Sequence, residues 1–468
     1  MLFNSLHFLI FFIIVTSAYF AMPHRLRWVL LLGSSCYFYM SFIPMYIAIL
    51  GFTIVVDYFA GLFIENARGP RRKLLLLCSL AANIGVLSIF KYYGFIEQNF
   101  SFLLHGLGIA GTIPHLSILL PIGLSFHTFQ AMSYTIEVYR GRQKAERHFG
   151  IYSLYVMFYP QLVAGPIERP QNLLHQFREQ HSFSLENFKS GLLLMLFGLF
   201  KKVVIADRLA IAVDYSFGNY AGQSGLSMLI ATVMYSFQIY CDFSGYSDMA
   251  IGAARIMGFR LMTNFNSPYF ATSLSEFWKR WHISLSTWFK DYLYIPLGGS
   301  RAGNLRTCLN LLIVFTVSGL WHGANWTFVI WGALHGLGLV IEKQFSFLSA
   351  KQPAIRGSLP AKLTGWLLTF TTVTLAWIFF RAPTFSQAVY MIGRILHASP
   401  FDAVDIRLNL PEIAASFALI AFLALKEKKV IRVTLNNNYV FAAFMVTMVF
   451  TCWFFGVFNN KQFIYFQF

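Results

Sequence analysis

The sequence predicts an all-α polytopic integral membrane protein, and three observations support this class. Hydrophobic residues make up 57% of the 468 residues and charged residues only 12%, whereas about 25% of the residues of a soluble domain are charged. Apolar stretches of roughly 20 residues, the length that crosses a bilayer as a helix, recur along the chain. Basic residues cluster between these stretches, as they do in cytoplasmic loops. We therefore expect a single membrane domain over residues 1–468.

The apolar stretches give roughly 11–13 crossings, because one stretch is too long for a single span. Candidate spans lie near 6–22, 28–43, 45–64, 74–92, 117–138, 149–166, 187–206, 225–254, 308–341, 364–381, 411–425 and 439–457. The long stretch 308–341 contains Gly319, Gly323, Gly332 and Gly336, which predict that it is broken, bent or partly re-entrant. The first stretch has no basic segment before it, so we interpret it as an uncleaved span with the N-terminus outside the cytoplasm.

The net charge of +17 is explained by short basic clusters between the spans. The clusters are Arg25/Arg27, Arg68/Arg71/Arg72/Lys73, Arg140/Arg142/Lys144/Arg147 and Lys426/Lys428/Lys429/Arg432. The positive-inside rule places all of them on the cytoplasmic side, so membrane topology accounts for the charge without nucleic acid. The cysteines are scattered and form no CxxC pair, and we expect no metal site.

One polar and aromatic segment, residues 259–306, interrupts the apolar pattern. Aromatic and aliphatic side chains recur at helical spacing from Ser275 to Tyr294, with charged residues between them. This pattern predicts one or two short amphipathic helices that lie at the membrane surface or line a recess. Ser273 or Ser275 is expected to cap the first of them.

Two histidines are the first candidates for chemistry. His322 lies in SGLWHGANW within an apolar stretch, and His282 lies in WKRWHISLSTW. A histidine at membrane depth usually lines a cavity or a pathway, and its imidazole can take a proton from an attacking hydroxyl group. The alternative for His322 is a structural histidine bonded across two helices. Position alone favours a structural role for His282. His335 is an alternative to His322 as the residue that carries out the chemistry.

Buried carboxylates form a second group of polar residues. Asp242 and Asp248 lie in an apolar stretch, YSFQIYCDFSGYSDMAIG, and Asp57 lies in another. A carboxylate in a membrane span must be paired or neutralised. Asp242 and Asp248 can position a histidine or pair with Arg255 or Lys202. Structural bonding between helices is the favoured interpretation, and a proton relay is the alternative.

A proline-rich stretch, FYPQLVAGPIERP at residues 158–170, predicts a break in a helix. Glu168 and Arg169 are expected at a membrane edge. The stretch fits either a broken helix buried in protein or a simple turn at the interface, and the sequence favours neither.

Together these stretches resemble the membrane-bound O-acyltransferase family, and in particular its bacterial alginate O-acetyltransferase-like branch. The matching stretches are PIGLSFHTFQAMSYTIEVYRG, AGPIERP, IYCDFSGYSDMAIG, EFWKRWHISLSTWFKDYLYIPLGG, SGLWHGANWTFVIWGALHG and the terminal FIYFQF. The resemblance runs through nearly the whole chain. It implies a ring of helices around a thin centre, with cytoplasmic and periplasmic funnels, and residues 259–306 as part of the funnel that holds the active site.

The resemblance also implies an activity, an O-acetyltransferase in the bacterial inner membrane. His322 matches the invariant histidine of the family and is the expected catalytic residue. His282 matches a second family position, His or Asn, and is expected near the tunnel, where it binds or orients substrate. Acetyl would pass from cytoplasmic acetyl-CoA to a periplasmic partner of the SGNH-hydrolase type within a polysaccharide biosynthesis complex. The acceptor would be a cell-surface polysaccharide such as alginate, cellulose or peptidoglycan.

The polyanionic donor suggests further site residues, because cationic side chains bind phosphate groups. Candidates for the phosphates of coenzyme A are Lys279, Arg280, Lys290, Arg301 and Arg306, candidates for stacking on its pantetheine or adenine are Trp281 and Trp288, and Asn325 is a further substrate-binding candidate. We expect no permanently bound cofactor. Whether His322 acts as a base or carries the acetyl group covalently is left open by the sequence.

Three alternatives to this activity stay open. One is acyl transfer from a carrier-protein thioester, as in the D-alanylation of teichoic acid. Another is a proton-coupled membrane transporter, although the sequence shows no internal repeat of the kind found in many transporters. The third is a membrane scaffold that recruits a polysaccharide-modifying enzyme.

Overall fold

The computed structural model describes the chain except residues 110–113, 115, 117–119, 164, 302, 350–357, 429–436, 459–462 and 464–468. The start of the span predicted near 117–138, two members of the last basic cluster (Lys429 and Arg432) and most of the terminal FIYFQF lie outside the described residues. Every regular element in the described ranges is helical, so the all-α prediction is confirmed.

The described elements include twenty α-helices. In chain order they are α1 (Leu6–Ala21), α2 (His24–Met40), α3 (Ile47–Asn66), α4 (Gly69–Leu87), α5 (Tyr93–Gly106), α6 (Leu124–Tyr139), α7 (Phe149–Met157), α8 (Tyr159–Leu162), α9 (Pro170–Leu173), α10 (Leu185–Phe200), α11 (Asp207–Gly218), α12 (Gly225–Ile256), α13 (Leu274–Arg280), α14 (Ile283–Phe289), α15 (Asn304–His322), α16 (Trp326–Ser349), α17 (Leu359–Arg381), α18 (Phe385–Leu396), α19 (Leu410–Glu427) and α20 (Asn438–Phe455). Single π-helical turns join α4 to α5 and α10 to α11.

Several helices are long and apolar enough to cross a bilayer, judged by length and composition alone. Within the described ranges there are 6 such segments, namely Pro44–Asn66, Gly69–Gly106, Gly225–Ile256, Asn304–His322, Leu359–Arg381 and Asn438–Phe455. The prediction of a polytopic membrane protein is therefore confirmed. The predicted number of crossings stays a prediction, because shorter apolar helices such as α1 do not meet the same length criterion.

Two predicted spans are broken. The stretch 149–166 forms α7 and α8, which are separated at Phe158, so the prediction of one continuous span there was wrong. Pro160 has no N–H to continue the helical hydrogen bonds, which explains the break. The stretch 308–341 forms most of α15 and most of α16, with a break after His322, and the glycine-based prediction of a break is confirmed.

The described chain forms two compact units. The first unit contains Met1–Met195 and Ser247–Met262, and the second contains Leu196–Tyr246 and Thr263–Phe468. The single-domain organisation expected for residues 1–468 stays a prediction.

Basic residues gather at one end of the first unit. Arg147 pairs with Glu65 at the end of α3. The Arg72 guanidinium donates to the carbonyl oxygen of Val138, near the end of α6, at 3.1 Å. These contacts bring two of the predicted cytoplasmic clusters to the same place, as the positive-inside rule expects.

Polar residues inside the first unit bond helix to helix. The Ser79 hydroxyl donates to Asp57 Oδ1 at 2.6 Å, and the Asn83 amide donates to both carboxylate oxygens at 2.9 and 2.8 Å. These bonds join α3 to α4, which agrees with the structural role predicted for Asp57. Glu168 is completely buried, and its carboxylate accepts the Met262 backbone N–H at 2.6 Å. Glu168 is therefore enclosed by protein, which supports the buried broken helix over an interfacial turn.

A tight helical hairpin of α15 and α16 dominates the part of the second unit that carries His322. A Cβ atom added to Gly319 would lie 2.2 Å from the Phe328 carbonyl oxygen, and one added to Gly332 would lie 2.2 Å from that of Phe315. Only glycine permits this approach of the two backbones, as in other closely packed membrane helices. The hairpin turns immediately after His322.

Candidate active site

His322 is the last residue of α15, and aromatic rings enclose it. The side chain is 3% exposed. Its ring centroid lies 4.9 Å from that of Trp321, 5.1 Å from that of Trp331 on α16 and 5.4 Å from that of Phe380 on α17. Three helices thus contribute apolar walls around one imidazole, which limits the access of water to it.

Two further histidines lie beside the same tryptophans. The ring centroid of His282 lies 6.5 Å from that of Trp321, and that of His335 lies 5.1 Å from that of Trp331. We call this alternating set, His282, Trp321, His322, Trp331 and His335, the histidine–tryptophan row. The structure therefore brings together His322, His282 and His335, the three histidines that the sequence selected.

His282 occupies a constrained position between α13 and α14. Its backbone has a φ of 43°, in the left-handed region that residues other than glycine rarely adopt. The side chain is fully buried, and its ring stands at 89° to that of Phe243, with centroids 4.6 Å apart. Unusual backbone of this kind persists only where the surroundings enforce it, and it is frequent at functional sites.

The hydrogen bonds around Asn264 fix the proton of His282. Asn264 Oδ1 lies 3.0 Å from His282 Nδ1 and accepts the Ser284 backbone N–H at 3.3 Å. A backbone N–H can only donate, so the amide oxygen of Asn264 faces both groups and Nδ1 of His282 carries the hydrogen. In the neutral ring Nε2 then holds the lone pair. Burial lowers the pKa of His282 to about 3, which keeps the ring neutral near pH 7.

His335 has the opposite tautomer. The indole N–H of Trp278 donates to His335 Nδ1 at 3.3 Å, and an indole N–H cannot accept. In the neutral ring the hydrogen is therefore on Nε2. Because Trp278 lies on α13 and His335 on α16, this bond attaches the amphipathic segment to the hairpin that carries His322.

The predicted amphipathic segment forms two short helices, α13 and α14, as expected. Ser273 caps the first, and its hydroxyl accepts the Glu276 backbone N–H at 3.1 Å, so one of the two predicted caps is confirmed.

The residues predicted to bind coenzyme A differ in their exposure to solvent. Lys279, Lys290, Arg301 and Arg306 are exposed, whereas Arg280 forms an ion pair of 2.6 Å with Glu276. Trp281 and Trp288 are buried, at 1% and 7% exposure, and Trp281 packs 5.1 Å from Trp377. Their roles in binding stay predictions.

Asn325 has a structural task in the hairpin turn. Its Oδ1 accepts the Thr327 backbone N–H at 3.0 Å at the start of α16, and its Nδ2 donates to the Pro383 carbonyl oxygen at 3.0 Å. The predicted contact of Asn325 with substrate stays a prediction. The signal for the capping role is the spacing to Thr327, since asparagine commonly bonds the backbone two residues ahead.

A buried ion cluster lies on the neighbouring helices of the second unit. Lys202 Nζ is 2.6 Å from Asp242 Oδ1 and 2.9 Å from Asp207 Oδ1, and all three side chains are less than 10% exposed. Of the two cationic partners that the sequence offered for Asp242, Lys202 and Arg255, the structure shows Lys202. Asp248 belongs to the first unit and is partly buried.

Comparison with known proteins places this site in a family. The model of the family described as MBOAT, membrane-bound O-acyltransferase, matches residues 142–381, which include the whole histidine–tryptophan row. A probable alginate O-acetylase AlgI of Pseudomonas putida is 38% identical over 91% of this chain and 86% of the relative.

Other relatives carry related names. A peptidoglycan O-acetyltransferase of Helicobacter pylori is 37% identical over 77% of this chain and 72% of the relative. A teichoic acid D-alanyltransferase of Streptococcus thermophilus is 29% identical over 56% of this chain and 69% of the relative. All of these names describe acyl transfer, and the acyltransferase prediction is confirmed. The match of the family model and the extent of the alginate O-acetylase similarity together show that the chain belongs to the membrane-bound O-acyltransferase family.

Proposed function

We propose that this chain passes acetyl from cytoplasmic acetyl-CoA across the bacterial inner membrane for the O-acetylation of a cell-surface polysaccharide. A periplasmic partner of the SGNH-hydrolase type receives the acetyl group and esterifies the polymer. The names of the alginate and peptidoglycan relatives support acetyl as the group and a glycan as the final acceptor.

The observation that carries the proposal is the enclosure of His322 at the break between α15 and α16. A buried imidazole with aromatic walls suits a reaction in which water would hydrolyse the thioester. The acetyl group is small and uncharged, so it can pass through an apolar enclosure that coenzyme A, with its phosphates, cannot enter.

The reaction can be written with His322 as general base. The imidazole takes the proton of the acceptor hydroxyl while the hydroxyl oxygen attacks the acetyl carbonyl carbon. A carbon–oxygen bond forms and the carbon–sulfur bond of the thioester breaks. The imidazolium then returns the proton to the thiolate, which leaves as coenzyme A. No further reactant is needed.

His282 supports this reaction as a neutral hydrogen-bonding group. With Nδ1 bonded to Asn264, its Nε2 lone pair can accept a hydrogen bond from the amide or hydroxyl groups of a substrate. A neutral ring does this without placing an unpaired charge beside the apolar walls.

The test compares acetyl ester on the surface glycan of cells that carry wild type, His322→Ala or His105→Ala. We expect the first variant to form the ester about a hundred-fold or more slowly, because a general base usually contributes that much to the rate. His105 is exposed at the end of α5 and serves as the matched control. Normal ester content in a His322→Ala protein that is present in the membrane at the wild-type level would refute the catalytic assignment.

A second measurement identifies the donor. Purified protein in liposomes is supplied with acetyl-CoA and an acceptor but no carrier protein, and the release of free coenzyme A is measured. Release that depends on His322 supports acetyl-CoA as the donor. Release only after addition of an acylated carrier protein would instead favour the reaction suggested by the D-alanyltransferase relative.

A further inference from the structure

A polar cavity lies entirely within the first unit. Its volume is about 520 Å³, within the range of small-molecule sites. The residues that line it are Gln180, His181, Ser182, Ser184, Asn187, Ile251, Arg255, Gly258, Phe259, Arg260 and Leu261. They come from the segment before α10, the first turn of α10, and the end of α12 with the residues that follow it.

The charge of this cavity is positive. Arg255 and Arg260 both line it, and none of the described lining residues is acidic. Within the described part of the chain, neither guanidinium has an ion-pair or hydrogen-bond partner. Arg27 differs, since its guanidinium donates to the His181 carbonyl oxygen at 2.5 Å. Two arginines that face one concave polar surface without an acid are the usual arrangement for binding a phosphate group.

The wall that carries Arg260 is held in place. The Arg260 backbone N–H donates to Gln176 Oε1 at 2.8 Å, and Gln176 Nε2 donates to the Arg260 carbonyl oxygen at 2.9 Å. His181 Nε2 lies 2.9 Å from the Gln176 carbonyl oxygen, and its ring packs 4.7 Å from that of Phe259. The cavity therefore exists before a ligand arrives, which reduces the entropy lost on binding.

Gly258 shows how closely this wall is packed. Its φ is +96°, and an added Cβ atom would lie 2.9 Å from the His181 ring. Both facts favour glycine at this position, because a side chain would strain the backbone and crowd the His181 ring.

The cavity lies near the basic end of the first unit. His181 is held by Arg27, and the neighbouring Arg178 forms an ion pair with Glu146, next to Arg147 in the cluster that follows α6. The positive-inside rule assigns this end to the cytoplasmic face. A ligand would therefore reach the cavity from the cytoplasm or from the inner lipid leaflet.

We propose that this cavity binds a phosphate ester, with Arg255 and Arg260 on the phosphate oxygens. The hydroxyls of Ser182 and Ser184 and the Asn187 amide supply further donors, and Ile251 and Leu261 face the organic part of the ligand. Two sources have this chemistry, the headgroup of an anionic phospholipid and a soluble phosphate ester such as coenzyme A. The binding site does not depend on the function proposed for His322.

The test measures binding to the full chain. Wild type, Arg255→Gln/Arg260→Gln and the control Arg25→Gln/Arg71→Gln are purified and checked for equal thermal unfolding. Arg25 and Arg71 are exposed residues of the basic clusters outside the cavity, so the control removes the same charge. One arm counts phosphatidylglycerol and phosphatidylcholine retained from mixed nanodiscs by native mass spectrometry. The other arm measures equilibrium binding of coenzyme A and of pantetheine, which has no phosphate.

The cavity variant should lose about ten-fold or more in affinity for one phosphate-bearing probe, because each charge-assisted bond contributes strongly. The control should bind as wild type. Loss of phosphatidylglycerol alone identifies a lipid site, and loss of coenzyme A alone identifies a soluble ligand. Equal binding of both probes by the cavity variant and the control overturns the proposal. If the double variant does not fold, binding is measured with Arg260→Gln alone. That side chain is exposed, so its replacement should not prevent folding.

Discussion

The ring of Trp331 stands edge-on to the ring of His322, with centroids 5.1 Å apart and planes at 88°. The same indole lies 5.1 Å from His335 and stacks on Trp377 at 5.5 Å. Trp331 is completely buried. It therefore fixes the orientation of the His322 ring from α16, while the backbone of that histidine belongs to α15.

Variants of Trp331 test whether the aromatic wall contributes to acetyl transfer as well as to stability. Trp331→Ala should lose about 3–5 kcal/mol of unfolding free energy, because it leaves a large cavity. It should also lower the rate of acetyl transfer, since the His322 ring is no longer held. Trp331→Phe keeps an aromatic ring and should retain most of the unfolding free energy and most of the rate of acetyl transfer. The measurements are unfolding in detergent and coenzyme A release per folded protein, and a wild-type rate for folded Trp331→Ala would contradict this role.

The bond between Asn264 and His282 predicts a second pair of variants. Asn264→Leu removes the acceptor for His282 Nδ1 and for the Ser284 N–H, so it should cost about 1–3 kcal/mol for the buried donors left without a partner. Its activity should fall, because the tautomer with a lone pair on Nε2 is no longer selected.

Asn264→Asp retains an oxygen at the same place and is the matched comparison. Its carboxylate favours the protonated form of His282 and should raise the pKa of that ring above the native value of about 3. We therefore expect the activity of Asn264→Asp to begin to fall at a higher pH than that of wild type as the solution is acidified, measured as the pH profile of coenzyme A release. Identical profiles would show that the neutral His282 ring has no part in the reaction.

The depressed pKa of His282 also predicts how stability depends on pH. The unfolded chain binds a proton on this residue below about 6.5, whereas the folded chain binds it only near pH 3. The unfolded state thus binds more protons between these values, so stability should fall as the pH falls through this window. His282→Asn should show a smaller fall in unfolding temperature between pH 7 and pH 5. His397→Asn, at an exposed histidine, should behave as wild type.

Local patterns in the sequence were sufficient for much of this architecture. The glycines of 308–341 predicted the break beside His322. The carboxylate of Asp242 within an apolar stretch predicted that it needs a cationic partner, and the structure selects Lys202 from the two candidates, Lys202 and Arg255. Each of these signals is local. A run of apolar residues predicts a helix, and a group of glycines or a carboxylate within the run is visible in the sequence itself.

Long-range contacts were not predictable in the same way. Helical periodicity reports which residues share a face but not which helices pack together. The walls of the His322 site come from α15, α16 and α17, so Phe380 carried no signal of its role. Asn264 lies in an irregular segment with no periodicity, and its bond to His282 depends on the left-handed backbone at that histidine.

The close approach of α15 and α16 predicts a strong effect of a small side chain. Gly332→Ala places a methyl group where the Phe315 carbonyl oxygen lies 2.2 Å away, so the two helices must separate and His322 must move relative to Trp331. We expect a lower unfolding temperature and reduced acetyl transfer. Gly393→Ala in α18 is the control, because no atom lies within 4 Å of its added Cβ. It should be neutral or slightly stabilising, since alanine favours helix.

If Gly332→Ala and Gly393→Ala have the same unfolding temperature and the same rate, the tight hairpin does not hold the active histidine. Gly319→Ala provides a second measurement of the same contact from the other helix, because its added Cβ would lie 2.2 Å from the Phe328 carbonyl oxygen.

Asp242 and Asp214 allow a final comparison between a buried and a partly exposed ion pair. Asp242→Asn leaves the buried Lys202 ammonium with less compensation and should cost about 3 kcal/mol or more. Asp214→Asn breaks a pair with Arg381 whose side chains are 31% and 28% exposed, and should cost less than about 1 kcal/mol. Denaturant unfolding in detergent measures both. Equal costs would mean that Asp207 or water compensates the Lys202 ammonium, in which case the bond to Asp242 is not required to hold these helices together.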